Sequence, residues 1–169
     1  IVEIGSWQGK STIFLGAGSQ AGKKIPVYAI DPHTGHTGLL EFNGAYTFPI
    51  FQKNIQKAGL SFIVKPLVMT SKEAAATFAM PIELLFIDGD HALQMVMLDS
   101  NLWFPRLING GTIAFHDTCS SLEILAWKGP VVCVKKNIYR GRQCKNICIV
   151  DTITAAEKTD RANAVDRYK

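Results

Sequence analysis

What this sequence lacks narrows it first. No run approaches the roughly 18 uncharged residues that a membrane-crossing helix requires; the apolar stretches are short, such as Leu84-Leu-Phe-Ile87. Nor does any segment carry the flanks of a signal peptide. These absences predict a cytoplasmic protein with no membrane partner. Charge is also scarce, at 19% of residues against 47% hydrophobic, where soluble domains carry roughly 25% charged residues. A large share of the chain must therefore be buried, which excludes a disordered chain. The four cysteines, Cys119, Cys133, Cys144 and Cys148, lack C-x-x-C spacing and read as reduced, structural thiols rather than a metal framework.

The net charge of +4 is too small to require a nucleic-acid partner, and none is expected. Lys135, Lys136, Arg140, Arg142 and Lys145 cluster near the C-terminal end, and a solvated face is the expected meaning. At 169 residues the chain has room for one domain with a real core. It opens directly on the apolar run Ile1-Val-Glu-Ile4, which reads as a fragment or as a domain trimmed at its start.

Short β-type runs recur at Ile1–Ile4, Val27–Ile30, Phe62–Leu67, Glu83–Ile87 and Thr112–Phe115. Between them Lys10–Ala17, Phe48–Ala58, Ser71–Ala79 and His91–Leu107 can each set apolar residues on one helical face, and Asn109-Gly-Gly111 stops the last of these. Strands alternating with helices imply crossovers and a parallel sheet. The expected fold is α/β, a doubly wound, mostly parallel, Rossmann-like sheet with helices on both faces. Strands one, four and five read apolar on both faces and should be central. Pro130 can open a short helix through Tyr139, and Asn146–Val150 reads as a further strand, expected to close the sheet in antiparallel fashion. The expected division is a domain over 1–154 and a polar, helical or mobile tail over 155–169.

Strand one runs into Glu3-Ile-Gly5-Ser-Trp-Gln-Gly9-Lys-Ser11 and then a helix. Glycines at such a turn let backbone amides approach a ligand, and the helix amino end favours a negative group. A phosphate-binding P-loop needs four residues between its first glycine and Gly-Lys-Ser, and only Ser6-Trp7-Gln8 intervene. The dinucleotide fingerprint needs a glycine where Trp7 stands. Asp31, ending strand two, has two carboxylate oxygens that can accept from both hydroxyls of a ribose; it can equally form an Asx turn into Pro32. Ser71, opening the third helix, is a candidate cofactor contact or a helix N-cap.

Strand four ends Ile87-Asp-Gly-Asp-His91 and strand five ends Phe115-His-Asp-Thr118. Two carboxylates held close repel unless a cation or proton lies between them, and oxygen-rich sites suit Mg²⁺, Mn²⁺ or Ca²⁺. Asp88 and Asp117 are therefore candidate ligands of a divalent metal. The alternative has Asp117 capping a helix while Asp88 contacts only cofactor. His33 and His36, in the loop Pro32–Tyr46, read as solvated.

The acidic-x-Gly-x-x-x-Gly motif at Glu3, Gly5 and Gly9 resembles that of class I S-adenosylmethionine-dependent methyltransferases. Ile87–His91 with Phe115–Thr118 resembles the metal-dependent O-methyltransferases, in particular the branch related to sugar and macrolide O-methyltransferases and cephalosporin hydroxylase-like proteins. The resemblance covers about residues 1–120. It implies S-adenosylmethionine bound by Glu3, Gly5, Ser6, Gly9, Asp31, Ser71 and Asp88. It further implies Mg²⁺ or another divalent cation held by Asp88 and Asp117, with His116 as a candidate third ligand. In catechol-type members a lysine three positions beyond the strand-four acid is the base, and here that position is His91. Those members also carry Asp-Asn after strand five, where this chain has Asp117-Thr118. The implied substrate is a hydroxylated sugar or small metabolite, and a homo-oligomer is compatible with this reading. The alternatives are a nucleoside-binding module without methyl transfer, and an NAD(P)-dependent oxidoreductase.

Overall fold

The computed structural model describes residues 1–35, 46–118, 128–141 and 143–160. His36, Cys119, Arg142 and most of the Pro32–Tyr46 loop lie outside the described residues, as do positions 161–169 of the expected tail. The chain divides into two compact units, Ile1–Phe78 and the residues from Ala79 onward.

The first unit alternates β1 (Val2–Ile4), α1 (Lys10–Ala21), β2 (Val27–Ile30), α2 (Phe48–Lys57), β3 (Val64–Leu67) and α3 (Ser71–Thr77). Its strands lie in the order β3-β2-β1, all parallel, with Val2 opposite Tyr28 and Val27 opposite Val64. Val27, Ala29, Phe51, Ile55, Leu60 and Val64 form the core beneath α1 and α2, with Ile13, Leu15 and Phe48 packed against it. Burying such side chains contributes roughly 1.5–3 kcal/mol each for the larger ones. Strand three starts two residues later than its apolar run suggests, because Phe62 is 91% exposed and belongs to the turn after α2.

The second unit holds β4 (Ile82–Ile87), α4 (Leu93–Trp103), β5 (Leu107–Phe115), α5 (Lys128–Val134), β6 (Cys144–Val150) and β7 (Ile153–Lys158). Strands run in the order β4-β5-β7-β6; β4 and β5 are parallel, while β7 is antiparallel to both β5 and β6. Leu85, Phe86, Ile87, Ile113, Ala114 and Phe115 are all buried, so the ends of β4 and β5 are apolar on both faces.

Two boundaries differ from expectation. The fourth helix does not run from His91 to Leu107: it begins at Leu93, ends at Trp103 and passes into a 3-10 turn at Phe104–Arg106. Pro105 has no amide with which to continue the helical ladder, and Lys158 Nζ donates to the carbonyls of Phe104 at 3.0 Å and Pro105 at 3.3 Å. Asn109–Gly111 then lies inside β5 rather than after a helix, as an irregularity between the Ile82–Leu107 and Leu84–Thr112 pairs. The second difference is β7. Residues 155–158, expected to start a polar tail, are strand, with Thr154 and Ala156 buried.

Candidate functional site

In the first unit the glycine motif forms a tight turn from β1 to α1. Gly5, Trp7 and Gly9 have φ of 86°, 43° and 89°, a left-handed region in which side chains other than glycine are strained. Gly9 is doubly constrained, because a Cβ there would sit 3.1 Å from the Phe51 ring. The turn is stitched by Gly5 N donating to Ile30 O at 2.9 Å and Gly9 N to Ser6 O at 2.7 Å. From α2, Asn54 Nδ2 donates to Gln8 O at 2.9 Å.

Glu3 lies under this turn with no solvent exposure, and its Oε2 accepts from the Thr12 hydroxyl. Ser6 is 2% exposed and its hydroxyl makes no hydrogen bond among the described residues, an arrangement buried polar groups rarely keep without a ligand or water. Asp31 Oδ2 accepts from Trp7 N and Oδ1 from His33 N, both at 2.7 Å. The Asx turn is thus present, and a carboxylate with about four acceptor positions keeps two more.

Ser71 does not cap α3. Thr70 does, in the extended backbone conformation, with its side chain accepting from Glu73 N at 3.3 Å while Glu73 Oε2 accepts from Thr70 N at 2.9 Å. These bonds from the Thr70 side chain and backbone lower the Glu73 pKa. Ser71 is the first residue inside the helix.

His33 corrects a second expectation. It is 1% exposed, with ring centroids 5.1 Å and 5.2 Å from Phe48 and Phe51. Its Nδ1 lies 3.0 Å from Thr47 Oγ1, and its carbonyl accepts from Thr47 N at 3.1 Å. Burial pushes its pKa down, opposed by the Asp31 carboxylate and the Trp7 backbone.

In the second unit, Asp88 follows β4 and His116 and Asp117 follow β5. One ligand atom from each of the three lies within 4.8 Å of the others. His116 Nδ1 is 3.2 Å from both Asp88 Oδ1 and Asp117 Oδ2; shared between two acceptors, it is well aligned with neither. The hydrogen-bonding pull of Asp88, partly offset by burial and assisted by both carboxylate charges, raises the His116 pKa to about 9. At neutral pH the imidazolium itself is the proton between the two acids. His91 Nε2 is 3.0 Å from Asp117 Oδ2, its side chain 11% exposed. His91 precedes α4 rather than lying in its first turn. Asp90 Oδ1 accepts from Ala92 N at 2.8 Å, so an Asx turn presents it.

Asp117 is buried with φ of 52°, and such a conformation persists only when its surroundings over-determine it. His116 N donates to Ile87 O at 3.1 Å on one side, and Thr118 N to Thr152 O at 2.8 Å on the other. Thr118, standing where catechol-type relatives have asparagine, turns toward β7: its hydroxyl lies 2.7 Å from Thr154 Oγ1. The hairpin contacts carry no local sequence signal because strand register brings the partners together, and His33 meets Thr47 only where the loop after β2 returns to the start of α2.

Residues 2–118 match the methyltransferase domain family, more than half of the chain. The chain belongs to that methyltransferase family. It is thereby a class I, S-adenosylmethionine-dependent methyltransferase, and the match displaces the oxidoreductase alternative. The fold of this methyltransferase is shared with solved structures of low identity. The O-methyltransferase NovP is 16% identical with a TM-score of 0.73, over 95% of this chain and 72% of that one. An O-methyltransferase described as putative, from Klebsiella pneumoniae, is 15% identical with a TM-score of 0.69, over 94% and 72%. TomG from Streptomyces achromogenes, solved in complex with S-adenosylmethionine, is 13% identical with a TM-score of 0.66, over 94% and 72%. These likenesses establish the doubly wound, mostly parallel Rossmann-like architecture with its antiparallel C-terminal pair. Among the described residues no helix is long and apolar enough to cross a membrane.

Proposed function

We propose that this methyltransferase transfers its methyl group to a hydroxyl of a sugar or small metabolite, assisted by a divalent cation held by Asp88, His116 and Asp117. The carrying observation is that these three side chains place two carboxylate oxygens and an imidazole nitrogen within 4.8 Å of one another. The two carboxylate oxygens of this set suit Mn²⁺ or Mg²⁺. The fit extends outward, since His116 Nε2 lies 3.3 Å from Thr152 Oγ1, the kind of outer contact that ligating histidines use to fix their ring. NovP and TomG, both O-methyltransferases by description, support oxygen as the acceptor atom.

For S-adenosylmethionine the proposed residues are Glu3, Gly5, Ser6, Gly9, Asp31 and Ser71. At the Gly5–Gly9 turn the buried Ser6 hydroxyl supplies a donor, and the two remaining acceptor positions of Asp31 suit ribose hydroxyls. Glu3 braces the turn from below through Thr12.

The transfer is an in-line displacement: the acceptor oxygen forms a bond to the methyl carbon as the carbon–sulfur bond breaks, and the hydroxyl proton must leave. His91 is the proposed base, and Asp117 at 3.0 Å stabilises the imidazolium formed on it. Asp88, His116 and Asp117 hold the cation, whose contribution when bound is to lower the hydroxyl pKa and orient it. One arrangement favours a metal-independent variant of the same reaction: His116 Nδ1, 3.2 Å from both Asp88 Oδ1 and Asp117 Oδ2, with its pKa raised, places one positive charge between the two acids and offsets part of their repulsion. Calorimetry separates the two. The cation reading expects adenosylhomocysteine binding and a distinct Mn²⁺ isotherm that Asp88→Asn together with Asp117→Asn removes; cofactor binding without any Mn²⁺ isotherm would leave only the metal-independent form.

A further inference from the structure

The β6–β7 turn reaches back to the end of β5 at two points on either side of Asp117. Thr152 Oγ1 lies 3.3 Å from His116 Nε2. Its carbonyl accepts from Thr118 N at 2.8 Å and from the Thr118 hydroxyl at 3.0 Å. The turn is anchored in register, because Thr154 pairs with Phe115 across the antiparallel β5–β7 ladder. One residue thus touches both neighbours of the left-handed Asp117.

We propose that Thr152 is a positioning residue of the Asp88–His116–Asp117 cluster. Its hydroxyl accepts the Nε2 proton and so keeps Nδ1 turned toward the carboxylates, while its carbonyl holds Thr118 and with it the strained backbone that aims Asp117. This rests on the cation reading above. An imidazole bound to a metal through Nδ1 must keep its proton on Nε2, and an acceptor at Nε2 selects that tautomer and fixes the ring plane. Without the acceptor the ring is free to turn, and Nδ1 leaves the two acids. Thr118 acts differently. Its hydroxyl is committed to Thr152 and Thr154, so it completes the clamp rather than contributing a ligand.

The test compares Thr152→Val, which keeps shape and backbone carbonyl but lacks the acceptor, with Thr152→Ser, which restores it. Mn²⁺ binding is followed by electron paramagnetic resonance, and the His116 ring by long-range ¹H–¹⁵N spectra of the metal-free protein. The expected result is a roughly 10- to 100-fold weaker Mn²⁺ affinity in Thr152→Val, recovery in Thr152→Ser, a shifted Nε2 resonance in the valine variant only, and unchanged adenosylhomocysteine affinity in both. Wild-type Mn²⁺ binding with an equal affinity and an unmoved Nε2 resonance in Thr152→Val would overturn the role of Thr152 while leaving the cation reading intact. No Mn²⁺ binding by the folded wild type would overturn both.

Discussion

The backbone amide of Trp7 donates to Asp31 Oδ2 at 2.7 Å, so the glycine turn after β1 and the acid ending β2 are one hydrogen-bonded unit. His33 N occupies the other oxygen. Asp31 therefore shapes the turn as well as offering acceptor positions to a ligand.

Asp31→Ala should lose both effects together. Two hydrogen bonds to a charged acceptor disappear, at roughly 1.5–3 kcal/mol each before relaxation, and the turn loses its brace. Adenosylhomocysteine affinity is expected to fall at least about tenfold, since 1.4 kcal/mol corresponds to that factor, with a lower denaturation midpoint. Calorimetry and urea unfolding measure the two; unchanged affinity would remove Asp31 from the cofactor site.

Gly9→Ala tests the turn itself. The left-handed conformation costs a residue with a side chain about 1–2 kcal/mol, and the new Cβ would press on Phe51 at 3.1 Å. Thermal unfolding should show a lower Tm. Gly18→Ala makes the control, because nothing lies within 4 Å of a Cβ there.

His91→Ala should abolish methyl transfer while adenosylhomocysteine affinity stays near wild type, which single-turnover kinetics with calorimetry can show. Gly129→Ala gives an independent route to the same group. A Cβ at 129 would lie 2.1 Å from the His91 carbonyl oxygen, so the turn carrying His91 must move. A fall in kcat with retained cofactor binding is expected. Equal loss of cofactor binding and turnover in His91→Ala would make His91 structural instead.

The pH dependence of stability follows from His116. In the metal-free fold its pKa is raised from 6.5 to about 9, so the protonated form favours folding. That contribution is complete below about pH 6.5, declines as the unfolded chain releases its proton, and is gone above about pH 9. Urea unfolding with chelator present should therefore show wild type losing stability relative to His116→Gln between pH 6 and pH 9.5. A constant difference across that range would contradict the raised value.

Much of the site is legible in the sequence because its parts are short and consecutive. Asp88 and His91, and His116 with Asp117, each follow an apolar strand, and alternation of strands with helices implies that parallel strand ends gather on one edge. What the sequence hides depends on register. Thr152 lies 36 positions from His116, and nothing local marks their meeting. Strand β7 is hidden for a related reason: Ala155-Ala-Glu-Lys158 is built from residues with little strand preference, and its conformation comes from pairing with β5 and β6 on either side. The burial of His33 also follows from context, since Phe48 and Phe51 reach it from a helix that starts beyond the intervening loop. Thr70 does not stand out as the cap of α3 because Ser71 beside it is as good a capping residue by type, and only the backbone conformation separates them.

The most direct measurement of the central claim is transfer of a radiolabelled methyl group from S-adenosylmethionine to a panel of hydroxylated sugars and small metabolites, assayed with chelator and after restoring Mn²⁺ or Mg²⁺. The account predicts transfer to at least one hydroxyl acceptor, lost with chelator, regained with the cation, and absent in Asp88→Asn with Asp117→Asn. Transfer that persists undiminished in chelator and in that double variant would contradict it.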